Sequence, residues 1–317
     1  MIYMKTRKTI GIYILILILT LILCSCGNED ISNVPDEGDA SLISEKLWYD
    51  SDNDEHTARF MSNGNTAAMV KNEAQNVVLN HIIVDDIPIY EMYSKECNNG
   101  KMLFLFHGQG SRKEEYLYEM IAYAEAGYLC VSVDTVGHGE RTSEEAIMSV
   151  EATIKTGKDI DVLLDYYDTV NYASTEKFAL IGLSQGGSIS YWYAAYGERI
   201  PSVLIVGSTT PDFNYQDDDT AIKNGKSIDS IWDEEKLSEF IKNNNPINNV
   251  ERFLSIPIMS GNGLDDNIIS YKGAESLEKM IIQKGKTNSK FYYFENVGHE
   301  VTEDFMSKVL PFLNTNM

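Results

Sequence analysis

Ser184 stands among glycines in Gly182-Leu183-Ser184-Gln185-Gly186-Gly187. An apolar run from Phe178 to Ile181 leads into it, and a segment rich in Ala and aromatic residues from Ser188 to Ala195 follows. The pattern predicts a strand, a tight turn and a helix. Such a turn holds the serine hydroxyl above the sheet edge, beside the unpaired N–H groups that open the helix. Glycines flank it because so sharp a turn leaves no room for neighbouring side chains. An aliphatic hydroxyl is a poor nucleophile at neutral pH, so Ser184 needs a base within hydrogen-bond reach and an acid that orients the base. The chemistry implied is covalent, nucleophilic attack by Ser184.

Five histidines compete for the base: His56, His81, His107, His138 and His299. His56 lies in a polar N-terminal stretch and His81 inside a strand pattern, which makes both structural. His107 belongs to a turn after a strand and shapes that loop rather than accepting a proton. His138, between Gly137 and Gly139, is the rival to His299, which sits in a Gly298-His299-Glu300 turn after the last strand. With His299 the chain order is serine, acid, histidine, one of the known orders for this chemistry. The acid comes from the loop Gly261–Ser270, where Asp265 and Asp266 are both available. The residue after the nucleophile offers the Gln185 N–H to the oxyanion that forms on attack. No H-E-x-x-H, cysteine pair or calcium-loop spacing occurs, and Gly261–Gly263 lacks the third glycine of a dinucleotide fingerprint. No metal or other cofactor is expected.

The elements that must hold these residues alternate. Strands are predicted at Val77–Val84 and Ile87–Tyr93, joined by Asp85-Asp86 as an antiparallel edge hairpin. Short apolar runs at Met102–Phe106 and Tyr128–Val133 read as buried strands, the first on both faces, and Phe178–Ile181, Val203–Gly207, Ile256–Ser260 and Phe291–Phe294 as further strands. Helical patterns cover Lys113–Ala126, residues 144–170, Tyr271–Lys284 and Thr302–Phe312. Strands alternating with helices make an α/β fold with a mostly parallel sheet and right-handed crossovers. Sites in such sheets lie at the carboxyl ends of the strands, where the loops above fall. Residues 208–250, with helical character only near Glu234–Lys242, are too long for a simple connection and read as a small lid.

The first segment is not part of that domain. Lys5, Arg7 and Lys8 precede an apolar run from Ile10 to Leu23, followed by Cys24-Ser25-Cys26. This is the layout of a secretory signal, and Leu23–Cys26 resembles the lipobox of bacterial lipoproteins, in which Cys26 receives the lipid. Residues 1–25 are then a signal peptide, residues 26–45 an acidic tether and residues 46–317 the folded domain. Losing three basic residues and no acidic one takes the formal charge from −22 to −25. So acidic a chain repels nucleic acid and anionic lipid, leaving the N-terminal lipid as its membrane attachment, outside the cytoplasm. Cys97 and Cys130 read as thiols, Cys130 within an apolar strand.

Together the strand–turn–helix around Ser184, the His107–Gly110 turn, the Asp134–Arg141 stretch, the late Asp loop and the last His resemble the α/β-hydrolase family over residues 77–314. The likeness is strongest to small bacterial esterases of the dienelactone-hydrolase and prolyl-oligopeptidase-like branch. It implies His299 as base and the Gln109 N–H as the second oxyanion donor. Family members carry a Gly three residues before the acid and an aliphatic residue three after; Gly263, Asp266 and Ile269 fit, whereas Asp265 puts Asn262 and Ile268 there. It further implies acyl transfer to water from a small or medium ester or acylated sugar. Esters need the least leaving-group assistance, and the chain has no room for the propeller of the large oligopeptidases. A peptidase or amidase, and a non-catalytic surface-binding lipoprotein, are the alternatives.

Overall fold

The computed structural model describes residues 76–215 and 220–317, and all of them fall in one compact unit. The signal, the lipobox, the tether and His56 lie outside the described residues.

An eight-stranded sheet runs in the order β1-β2-β4-β3-β6-β7-β10-β11. The edge hairpin is β1 (Val77–Val84) and β2 (Ile87–Ser94), paired antiparallel. Its two turn residues, Asp85 and Asp86, both adopt positive φ (46° and 66°), as a two-residue turn matching strand twist requires. β2 pairs antiparallel with β4 (Leu129–Val133), and from there the sheet is parallel through β3 (Met102–Phe106), β6 (Phe178–Leu183), β7 (Val203–Gly207), β10 (Ile258–Gly263) and β11 (Lys290–Phe294).

Helices cover both faces, which is why β3, β4 and β7 are buried throughout and β3 and β7 read as continuous apolar runs. On one face α2 (Ser149–Val170), α3 (Gln185–Tyr196) and α6 (Lys272–Gln283) bring Leu163, Ile189 and Leu277 against Phe104, Leu180 and Leu204. On the other, α1 (Leu117–Glu125) and α7 (Glu303–Asn316) bring Leu117, Met120, Phe305 and Val309 against Leu103, Leu105 and Ile205. Each such side chain, moved fully out of water, contributes about 1.5–3 kcal/mol.

Several boundaries differ from the sequence expectation; the helical pattern from Lys113, for one, is a 3-10 turn to Tyr116 before α1 begins at Leu117. The pattern over residues 144–170 becomes helix only at Ser149, because Ile147–Met148 forms a short strand, β5, paired with β8 (Thr220–Lys223). β10 begins at Ile258 and runs through Gly263 rather than spanning 256–260. Its glycines are strand residues for lack of space: a Cβ on Gly263 would lie 2.2 Å from the Val297 carbonyl oxygen. Finally, α7 continues past Phe312 to Asn316, with Pro311 inside it.

Within the stretch expected as a lid, β8 and β9 (Lys226–Asp229) form a hairpin about Asn224 and Gly225, both at positive φ. The helix α4 (Glu234–Asn244) follows, its first turn capped by the Asp233 side chain on the Lys236 N–H. Phe213, Ala221 and Leu237 from this stretch pack on Met148, Val150, Ile154 and Trp192, a small core of their own. α5 (Val250–Phe253) then leads to β10.

Candidate active site

Ser184 joins β6 to α3 at φ 53° and ψ −121°, a region that costs a non-glycine residue about 1–3 kcal/mol. Neighbouring contacts hold it there: its N–H donates to the Gly207 carbonyl at 2.9 Å, and its own carbonyl accepts the Ser188 N–H at 3.1 Å. The end of β3 lies against the start of α3 so closely that a Cβ on Gly186 would be 1.8 Å from the Phe106 oxygen. That contact is what the flanking glycines permit.

The structure brings Ser184, His299 and Asp266 together. The Ser184 Oγ and His299 Nε2 are 2.8 Å apart, and His299 Nδ1 is 2.8 Å from Asp266 Oδ2. With Ser184 donating to Nε2, the ring proton sits on Nδ1 and is given to the carboxylate. The loop after β10 is tied to the loop carrying His299 by the Asp265 N–H on the Val297 carbonyl (3.0 Å). The Asp266 Oδ1 accepts the N–H groups of Ile268 and Ile269, both at 2.9 Å. Burial pushes the Asp266 carboxyl up, but the His299 ring and those two N–H groups outweigh it and hold the pKa below the ordinary value. Asp265, by contrast, is exposed. Of the two neighbours, Asp266, the one the family spacing fits, is the one on the His299 ring.

The other histidines are elsewhere engaged. His138 is buried, with Nδ1 2.9 Å from the Thr135 Oγ1 and its ring edge-on to His107. His81 Nε2 lies 2.7 Å from Glu140 Oε1; that hydrogen bond, with Lys113 beside it, holds the Glu140 pKa down at about 2. Cys97 and Cys130 are both thiols, and burial pushes the Cys130 thiol up.

A cavity of about 470 Å³ opens over Ser184 and His299. Gln109 and Gln185 line it, and neither backbone N–H donates to a partner among the described residues. Both are free for an oxyanion beside Ser184. The Gln109 side chain accepts from Ser149 Oγ at 3.0 Å, tying its loop to the first turn of α2. The rest of the wall was not identified from sequence: Ser149 and Thr153 on α2, Ser188 on α3, and Thr220, Lys226 and Ser227 on the β8–β9 hairpin. The Asn224-Gly225 pair was the one available signal for that hairpin.

Residues 115–315 match the model of the prolyl oligopeptidase family. No curated protein matches the chain. Among solved structures, a puromycin-hydrolyzing peptidase of Mycobacterium tuberculosis is 12% identical with a TM-score of 0.61, over 77% of this chain and 40% of that one. Porphyromonas gingivalis dipeptidyl peptidase 4 is 13% identical with a TM-score of 0.56, over 76% and 35%. A cold-adapted esterase from an Arctic intertidal metagenomic library is 16% identical with a TM-score of 0.53, over 76% and 95%. The chain thus spans less than half the length of these two peptidases and nearly all of the esterase. At these identities the likeness shows the fold, which is that of the α/β-hydrolases.

Proposed function

This chain belongs to the prolyl oligopeptidase family and is a serine hydrolase of the α/β fold, and on that premise we propose that it is a carboxylesterase working through Ser184, His299 and Asp266. The observation that carries the reading is the His299 ring, 2.8 Å from Ser184 Oγ on one side and 2.8 Å from Asp266 on the other. Ser184 Oγ attacks the ester carbonyl while its proton passes to His299 Nε2. The Gln109 and Gln185 N–H groups receive the oxyanion, each worth about 2.7–4 kcal/mol of barrier. Asp266 stabilises the imidazolium, which then protonates the departing alcohol and leaves an acyl-Ser184. Water, giving its proton to the same nitrogen, releases the carboxylic acid and restores Ser184.

Two considerations favour an ester. An alcohol leaves with less proton assistance than an amine. The cavity of about 470 Å³ suits a small or medium acyl group or an acylated sugar, within the range of small-molecule sites. A peptidase is the second reading, favoured by the family itself. Kinetics on p-nitrophenyl esters graded by acyl length, set against p-nitroanilides of capped dipeptides, decide between them. The best ester is expected to exceed the best anilide in kcat/KM; an anilide cleaved as fast as the best ester makes the protein a peptidase.

For its address, the proposal is a lipid on Cys26 after removal of residues 1–25, with residues 26–45 as tether outside the cytoplasm. The support is the basic, apolar and Leu23–Cys26 layout of the first residues. Globomycin, which blocks lipoprotein signal cleavage, is expected to leave a longer precursor. Cys26→Ser is expected to lose membrane anchoring with esterase activity unchanged. A Cys26→Ser protein processed and anchored as before removes this proposal and leaves the enzymatic one standing.

A further inference from the structure

The cavity over Ser184 has one wall that the triad does not use. Thr153 on α2, with Thr220, Lys226 and Ser227 on the β8–β9 hairpin, forms it. None of these four side chains makes a hydrogen bond or ion pair among the described residues. Thr153 is only 2% exposed, and a partner for its hydroxyl has to come through the cavity it lines. All four offer donors, three hydroxyls and one ammonium. No Asp or Glu lines the cavity among the described residues, although acidic residues outnumber basic ones 48 to 26 in the chain.

The ammonium stands on a fixed mount. β8 is paired to β5 through Ala221 and Ile222, both buried. At the turn, the Asn224 N–H donates to the Ser143 carbonyl and its side chain to Glu144 Oε1, each at 3.0 Å. Lys226 lies directly opposite Lys223 in the register, and like charges so placed destabilise a strand pair. An anion beside Lys226 offsets that cost. Hydroxyls alone suit a sugar as well as an anion, since they both donate and accept. The unpaired ammonium decides for the anion, and one ammonium matches one negative charge.

We propose that the cavity selects esters carrying a separate carboxylate, which Lys226 receives together with the hydroxyls beside it while Ser184 attacks the ester carbonyl. This narrows the esterase reading, on which it rests. The carboxylate is a handle and does not react. It belongs either to the acyl part, as in a hemiester of a dicarboxylic acid, or to the alcohol part, as in the ester of a hydroxy acid. The net charge of −22 works against any anionic substrate, so a preference for one has to come from this wall.

Two pairs of near-equal size separate the sources. The acyl arm sets the p-nitrophenyl hemiester of glutaric acid against the p-nitrophenyl ester of its half-amide; the alcohol arm sets 4-acetoxybenzoate against 4-acetoxybenzamide. In one arm the anionic ester is expected to lead its neutral partner about 10-fold in kcat/KM, as a charge-assisted hydrogen bond gives. The lead is expected in KM, because Lys226 does not touch the reacting atoms, and to shrink with salt, because Lys226 is exposed. Lys226→Met is expected to erase the lead and Lys226→Arg to keep it. Lys223→Met removes the same charge without removing a wall group, and is expected to change the lead by less than about twofold. No lead in either arm, or a lead that Lys226→Met leaves in place, overturns the proposal. So does an equal loss in Lys223→Met, which makes the effect one of field and not of contact, and so does acetylated glucose outrunning both anionic esters.

Binding supplies a readout free of turnover. In Ser184→Ala, the uncleaved amides glutaric acid mono-anilide and 4-acetamidobenzoate are titrated by calorimetry. Adding Lys226→Met is expected to weaken one of them about 10-fold. Unchanged affinity for both overturns the anion site, whatever the esters do. A wild-type protein that turns over no ester while this difference persists refutes the esterase reading and leaves the anion site standing.

Discussion

Ser184→Ala is expected to lower ester turnover by about 10⁶ in kcat, the loss seen when the nucleophile of such a triad is removed. It is also expected to abolish covalent labelling by a fluorophosphonate, which in the wild-type protein marks Ser184 alone. The size follows from the geometry: Oγ is the atom 2.8 Å from His299 Nε2, and no other hydroxyl meets that nitrogen among the described residues. Alanine keeps the strained backbone at φ 53°, so it neither relieves nor adds much strain. The free Gln109 and Gln185 N–H groups survive, and residual catalysis of about 10³–10⁴ over water is what binding and an intact oxyanion hole supply. Tm is expected to stay close to wild type, which makes the kinetic loss interpretable. Labelling at full strength in Ser184→Ala removes the serine mechanism altogether.

The legible and illegible parts of this protein divide by physical cause. β3 and β7 were legible because a strand covered on both faces has few polar positions, and Met102–Phe106 and Val203–Gly207 contain none. Ser184 was legible because its strained turn demands glycines on both sides, a requirement written in residue types. The cavity wall carries no such requirement. Ser149 and Thr153 sit in what reads as helix interior, and nothing in their spacing says that β5 delays the start of the helix to Ser149 and that both residues line the cavity. The strands β8 and β9 have four residues each, too few for alternation to register against noise. His107 fell between these cases. Its place at the loop was legible, but its tautomer depends on two backbone partners, Gly108 and Thr135, that only the folded chain brings to it.

Asp265 and Asp266 are the sharpest instance, and their substitution by asparagine is expected to separate them widely. Asp266 has one oxygen on His299 Nδ1 and the other on two backbone N–H groups. In Asp266→Asn the amide oxygen remains with the Ile268 and Ile269 N–H groups, where only an acceptor fits. The amide NH₂ then faces His299 Nδ1, which must give up its proton to accept. That moves the proton to Nε2, where it opposes the Ser184 hydroxyl instead of receiving from it. The wrong tautomer of a triad histidine costs about 10⁴ in turnover with the geometry intact. Since the pKa of Asp266 is held below its ordinary value, the wild-type acid is ionised at neutral pH and the loss is of a full charge as well as of an acceptor. Asp265 is exposed and contributes its backbone N–H to the Val297 carbonyl, a bond that asparagine keeps. An exposed substitution of this kind changes stability by less than about 0.5 kcal/mol, and turnover is expected to stay within a few-fold of wild type. Steady-state kinetics of both variants on one chromogenic ester read the difference directly. If Asp265→Asn is the slow one, the acid is one position earlier than the hydrogen bonds imply. If both remain fast, the loop after β10 orients His299 without contributing charge, and the stabilisation of the imidazolium has to come from another group.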